Sequence, residues 1–88
     1  MYKIYFSEAA ISSYVKFSAN LRKRIDAKIL LIAQDPYAKN NNTAPIYGRK
    51  HCYRLRIADI RVVYEIINNE MKIFVIKIGH RKEVYNEN

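Results

Sequence analysis

The stretch Cys52-Tyr53-Arg54-Leu55-Arg56-Ile57-Ala58-Asp59-Ile60-Arg61-Val62-Val63-Tyr64-Glu65-Ile66-Ile67 decides the fold. β-Branched and aromatic residues dominate both sides of Ala58-Asp59, which predicts two antiparallel strands, Cys52 to Ile57 and Ile60 to Ile67, around a two-residue turn. Opposed residues in such a hairpin share a face. Ile57 then faces Ile60, Arg56 faces Arg61, and Arg54 faces Val63. A turn within Asn68-Asn69-Glu70 leads to a third strand over residues 71–79. If that turn has two residues, Phe74, Ile76, Ile78 and His80 join the face of Arg61.

Two faces emerge from these registers. One carries Tyr53, Leu55, Ile57, Ile60, Val62, Tyr64, Ile66, Ile73 and Val75 and is the natural seat for helices. The other carries Arg54, Arg56, Arg61, Glu65, Lys72 and His80 among Val63, Phe74 and Ile76. Like charges directly opposite on a sheet are destabilising, so Arg56 against Arg61 breaks a local rule. Breaches of this kind concentrate at functional sites. The alternative is that the arginines splay into water and pair with Glu65.

Upstream, residues 2–6 read as a strand, and Ser7 as the N-cap of a short helix with Ile11, Tyr14 and Val15 on one face. Ser18 or Asn20 can cap a second helix, whose apolar stripe is Leu21, Ile25, Ile29 and Ile32 and whose stop is Pro36. Residues 37–50, with three consecutive asparagines, Pro45 and Gly48, read as a surface loop. The expected fold is α+β. Two helices pack on one face of a mostly antiparallel four-stranded sheet in the order β-α-α-β-β-β.

Eighty-eight residues form one domain, 1–88, with a formal charge of +8. The charge is concentrated: residues 39–82 carry ten basic and three acidic side chains. A lone cysteine, Cys52, excludes an internal disulfide and a Cys-based metal site. No apolar run reaches the ~20 residues of a membrane span and no signal-peptide pattern opens the chain, so the expected location is the cytoplasm. The charge points to a polyanionic partner.

Guanidiniums and an imidazole on one surface suit a phosphodiester, because arginine offers phosphate oxygens a planar fork of donors and histidine exchanges protons near neutral pH. No Asp/Glu cluster has metal-ligand spacing, which argues against a two-metal nuclease. RNA can be cut without metal because its 2′-hydroxyl is an internal nucleophile, whereas DNA lacks that group. No cofactor is expected.

The quoted stretch, together with Lys77-Ile78-Gly79-His80-Arg81-Lys82-Glu83-Val84-Tyr85, resembles the RelE family of type II toxin–antitoxin toxins over nearly the whole chain. The resemblance implies a toxin that enters the ribosomal A site and cleaves mRNA there by metal-free 2′-hydroxyl attack, and that a RelB-like cognate antitoxin silences. It assigns Arg54 and Arg56 to basic catalytic positions, Arg61 to bracing the scissile phosphate, Arg81 to acid catalysis or charge stabilisation, and Tyr85 to stacking on an mRNA base. Arg54 is a poor general base because its pKa lies above ~12, which makes His80 the candidate for proton transfer. Arg49, Lys50, Lys72 and Lys82 are candidate RNA contacts. Two other readings remain: a ParE-like gyrase poison on the same scaffold, and a non-catalytic RNA- or ribosome-binding module.

Overall fold

The computed structural model describes residues 1–39 and 42–82. The chain runs β1 (Lys3–Phe6), α1 (Glu8–Tyr14), α2 (Ala19–Gln34), β2 (Thr43–Pro45), β3 (Cys52–Ile57), β4 (Ile60–Ile67) and β5 (Lys72–His80). The strands form one sheet in the order β1-β5-β4-β3-β2, with β1 parallel to β5 and the other pairs antiparallel.

The sheet therefore has five strands where four were expected. The addition is Thr43–Pro45, which pairs with β3 at the sheet edge and puts Ala44 opposite Arg54. An edge position tolerates Pro45 because proline's missing N–H costs no ladder bond on the open side.

Both helices start where capping chemistry predicts. Ser7 Oγ accepts from the Ala10 N–H at 3.0 Å, and Ser18 Oγ from the Leu21 N–H at 3.2 Å. In α2 the expected stripe holds, with Ile25, Ile29 and Ile32 buried and Leu21 packed against them. In α1 it does not. Ala10 is buried and Tyr14 partly so, while Ile11 and Val15 are exposed. Positions 10 and 14, one turn apart, carry the inward face of this short helix. Among the described residues no helix is long and apolar enough to cross a membrane.

The β3–β4 hairpin has the predicted register, with Ile57 opposite Ile60, Arg56 opposite Arg61 and Arg54 opposite Val63. Its inner face, from Leu55 to Ile66, is buried with Ile73, Val75 and the helical isoleucines. The connection to β5 is a 3₁₀ turn, Asn68–Glu70, closed by Met71 at φ 51°. This turn keeps Glu65 opposite Phe74 and Ile67 opposite Lys72, as expected for that end of the ladder.

The register then shifts. Tyr64 pairs with Val75 but Val63 pairs with Lys77, leaving Ile76 as the extra residue of a β-bulge. One inserted residue sends every later side chain to the opposite face. Ile78 is therefore in the core, opposite Val62, rather than beside Arg61. His80 lies opposite Ile60, on the helix side, and Lys77 and Gly79 take the places assigned to Ile76 and Ile78. Ser7 secures the bulge by donating its hydroxyl to the Ile76 carbonyl at 2.6 Å.

A candidate phosphate-binding cleft

Four arginines from three parts of the chain converge on one cleft of about 380 Å³ on the sheet face away from the helices. Arg54 and Arg56 project from β3, Arg61 from β4, and Arg81 follows the end of β5. Asn42, Thr43 and Ala44 form the remaining wall, so among the described residues no carboxylate lines the cleft. β2 is held in place by its ladder to β3, and the Arg56 N–H donates to the Asn42 carbonyl at 2.7 Å.

Each guanidinium is placed by backbone structure. Arg56 and Arg61 flank the tight turn at Ala58-Asp59, where Ala58 adopts a left-handed φ of 53°. The Arg61 Nη1 group donates to the carbonyls of Ala58 at 3.3 Å and Ile60 at 3.2 Å, which tethers the side chain over its own turn. Gly79 stands directly opposite Arg61, so no side chain from β5 occupies that flank. A glycine inside a strand often marks a close approach by a ligand or another backbone. The Arg81 N–H donates to the Asp59 carbonyl at 2.9 Å, which turns this residue toward the cleft across the same hairpin.

The remaining expected site residues are distributed differently. Lys82 follows Arg81 and is exposed. Arg49 and Lys50 are exposed in the β2–β3 turn. Lys72 lies at the other end of β5, paired with Glu70 at 2.8 Å and above the Tyr5 ring at 4.8 Å. The hydrogen bond and charge of Glu70 raise its pKa. Tyr85 lies outside the described residues.

His80 departs from the expectation most clearly. Its Nδ1 is 3.3 Å from Asp59 Oδ2 and its ring meets Phe17 edge-on at 6.1 Å. Both contacts are on the helix side, because the Ile76 bulge reversed the strand before His80. It does not share the arginine face.

Four contributors were not visible in the sequence. Thr43 and Ala44 belong to a three-residue strand that ends in a proline and follows an asparagine run, which offers too short a pattern to read. Lys77 joins the arginine face only through the bulge. Asp59 organises Arg81 through its carbonyl, a main-chain role to which side-chain identity is nearly silent.

Comparison with known proteins places this geometry in a family. The family model described as "ParE toxin of type II toxin-antitoxin system, parDE" matches residues 4–85. The chain belongs to the RelE/ParE family of toxins. Within that family it is 30% identical to the mRNA interferase toxin RelE of Escherichia coli K12, over 98% of this chain and 92% of the relative. The isolated E. coli RelE toxin superposes with a TM-score of 0.81 at 27% identity, covering 97% of this chain and 92% of that one. The toxin in the intact E. coli RelBE toxin–antitoxin complex shares the fold, with a TM-score of 0.80, 24% identity, and coverage of 91% and 96%. The RelE-like fold expected from the sequence is thus the one observed, with β2 as an additional edge strand.

Proposed function

We propose that this toxin is a ribosome-dependent endoribonuclease that cuts mRNA in the A site and thereby stops translation. The observation that carries the reading is the convergence of Arg54, Arg56, Arg61 and Arg81 on one cleft that, among the described residues, no carboxylate lines. Such a surface binds a phosphodiester and is best matched to the extra negative charge that builds up as the phosphate becomes five-coordinate. The 2′-hydroxyl gives up its proton and bonds to the adjacent phosphorus. The bond from phosphorus to the 5′-oxygen breaks, and that oxygen leaves with a proton. The products are a 2′,3′-cyclic phosphate and a 5′-hydroxyl, and the reaction needs no cofactor.

Guanidiniums stay charged throughout, so their part is to hold and stabilise rather than to abstract a proton. On this face Lys77, diagonal to Arg61 across the ladder, adds a further positive charge. The ribosome supplies what the cleft does not, a strand held with its 2′-hydroxyl in line with the bond to be broken. The name of the E. coli relative, an mRNA interferase, supports the same chemistry. A RelB-like antitoxin is the silencing partner, with an acidic segment seated on the arginine face, because such a segment neutralises the charge that RNA would otherwise meet.

Primer extension on mRNA translated in a reconstituted system tests this reading. New 5′ ends in frame with the codons are expected from the wild-type toxin. Arg61→Ala is expected to lower their rate of appearance by about 10²–10³, the usual effect of removing one preorganised donor. Gyrase-linked DNA breaks without mRNA cleavage would instead assign the ParE-type activity, and neither effect would leave a binding module.

A further inference from the structure

The hairpin that walls the cleft ends in a surface the cleft does not use. Between β2 and β3, residues 46–51 form a tightly bonded turn. The Ile46 N–H donates to the Cys52 carbonyl at 2.9 Å, the Arg49 N–H to the Ile46 carbonyl at 3.2 Å, and the Cys52 N–H to the Arg49 carbonyl at 3.4 Å. Gly48 and His51 hold left-handed φ values of 82° and 61°, so the backbone path is specific.

At the tip of this turn Tyr47 is 102% exposed, with its whole ring in water. Tyr2, Tyr14, Tyr53 and Tyr64 all pack in or against the core. A phenol ring left out of the core forgoes the burial that ordinarily justifies an aromatic residue. Its neighbours Arg49, Lys50 and His51 are exposed with it. Residues 39–58 contain five Lys or Arg and no Asp or Glu, and the carboxylate nearest the tip comes from the neighbouring strand, where Glu65 stands opposite Cys52. Ala44 lines the cleft, and Tyr47 is three residues further along the chain, so their Cα atoms are at most roughly 11 Å apart.

We propose that this tip is a second RNA contact, where one unpaired base stacks on Tyr47 and the adjoining phosphates lie against Arg49 and Lys50. A rigid basic turn displaying one bare aromatic ring has the two parts of a single-strand platform, a stacking surface and a backbone track. The turn's hydrogen bonds keep the ring in place before binding, which limits the entropy lost on contact. Stacking is tolerant of base identity, so the tip adds affinity without dictating a codon. Duplex RNA, whose bases are already stacked, should bind poorly there. The inference takes RNA as the polyanion from the nuclease reading above.

The chain has no tryptophan, so Tyr47→Trp creates a unique fluorophore at the tip. A short single-stranded oligoadenylate is expected to quench that indole, and the matching duplex is not. Tyr47→Ala should weaken oligoadenylate binding by roughly 5- to 150-fold, the range of one lost base stack. Tyr47→Phe should bind like wild type, because the ring and not the hydroxyl makes the contact. The ring packs on nothing, so Tyr47→Ala should unfold at the wild-type midpoint.

Small ribosomal subunits without mRNA, titrated in parallel, identify the source of the base. Quenching by empty subunits marks ribosomal RNA, and quenching only after mRNA is loaded marks the message. An indole that ignores saturating RNA, or that responds only to the antitoxin protein, overturns the proposal. So does unchanged affinity in Tyr47→Ala. MRNA cleavage by the wild type is scored separately. Loss of the tip signal with cleavage intact refutes the tip alone, and a tip signal without cleavage refutes the nuclease reading alone.

Discussion

An arginine remains protonated across the physiological range, and a cleft made of four of them can act only through fixed charge and hydrogen-bond geometry. That limits what each neighbouring residue can be asked to do. Arg81 is tied by its own N–H to the Asp59 carbonyl and reaches the cleft. His80, one residue earlier, points the other way toward Asp59 and Phe17. The two should therefore respond differently to substitution. Arg81→Ala is expected to reduce single-turnover mRNA cleavage by about 10²–10³. His80→Gln should remain within a few-fold of wild type, since glutamine can still hydrogen-bond Asp59 and no proton transfer is lost. A His80→Gln rate as low as that of Arg81→Ala would return the imidazole to the chemistry.

At the scale of elements, one bulge decides which residues of β5 share the face of the arginine cleft. Ile76 is the unpaired extra residue, and the Ser7 hydroxyl holds its carbonyl. Deleting Ile76 should give a regular ladder in which Lys77 still meets Val63 and Ile78 still meets Val62, so both keep their faces. Inserting one residue after Lys77 should instead turn Ile78 out of the core, at a cost of about 1.5–3 kcal/mol, read as a lower urea midpoint. An insertion variant as stable as wild type would show that the ladder does not fix the facing of β5. The same bulge marks the boundary of what the sequence made legible. The β3–β4 registers were readable because Ala58-Asp59 admits one tight turn and both strands have buried partners for every inward residue. The helix caps at Ser7 and Ser18 were readable for an equally local reason. The bulge has no such mark: Val75-Ile76-Lys77 contains no glycine or proline, and only the surrounding core reveals which side chain is surplus. Hence the hairpin pattern brings Arg54, Arg56 and Arg61 together as the structure does, while a regular ladder would turn His80 to the face opposite the one it occupies. In β2, Thr43–Pro45 was hidden because its partner strand, not its own pattern, makes it a strand.

For the molecule as a whole, one sheet face concentrates like charge and the other must supply the cohesion that opposes it. Tyr64 is central to that second face. It is 2% exposed, pairs with Val75 in the ladder, and stacks on Tyr53 with centroids 5.8 Å apart. Burial pushes its hydroxyl from the ordinary value of 10.0 up to about 12, because a phenolate in the core would lose its hydration. In the unfolded chain the same hydroxyl ionises near 10, so between the two values the unfolded state has released a proton that the native state still holds. Stability must then fall as pH rises through this window, and Tyr64 alone should account for about 3 kcal/mol by its upper end. The arginines keep their charge over the same interval, so the repulsion on the opposite face persists while the core weakens. Urea unfolding of wild type and Tyr64→Phe across this range isolates the contribution. The stability difference between the two should shift toward the phenylalanine variant as pH rises, by roughly that amount. A pH-independent difference would mean that Tyr64 ionises as freely in the fold as in the open chain, and that the layer behind the arginine cleft is wetter than its packing indicates.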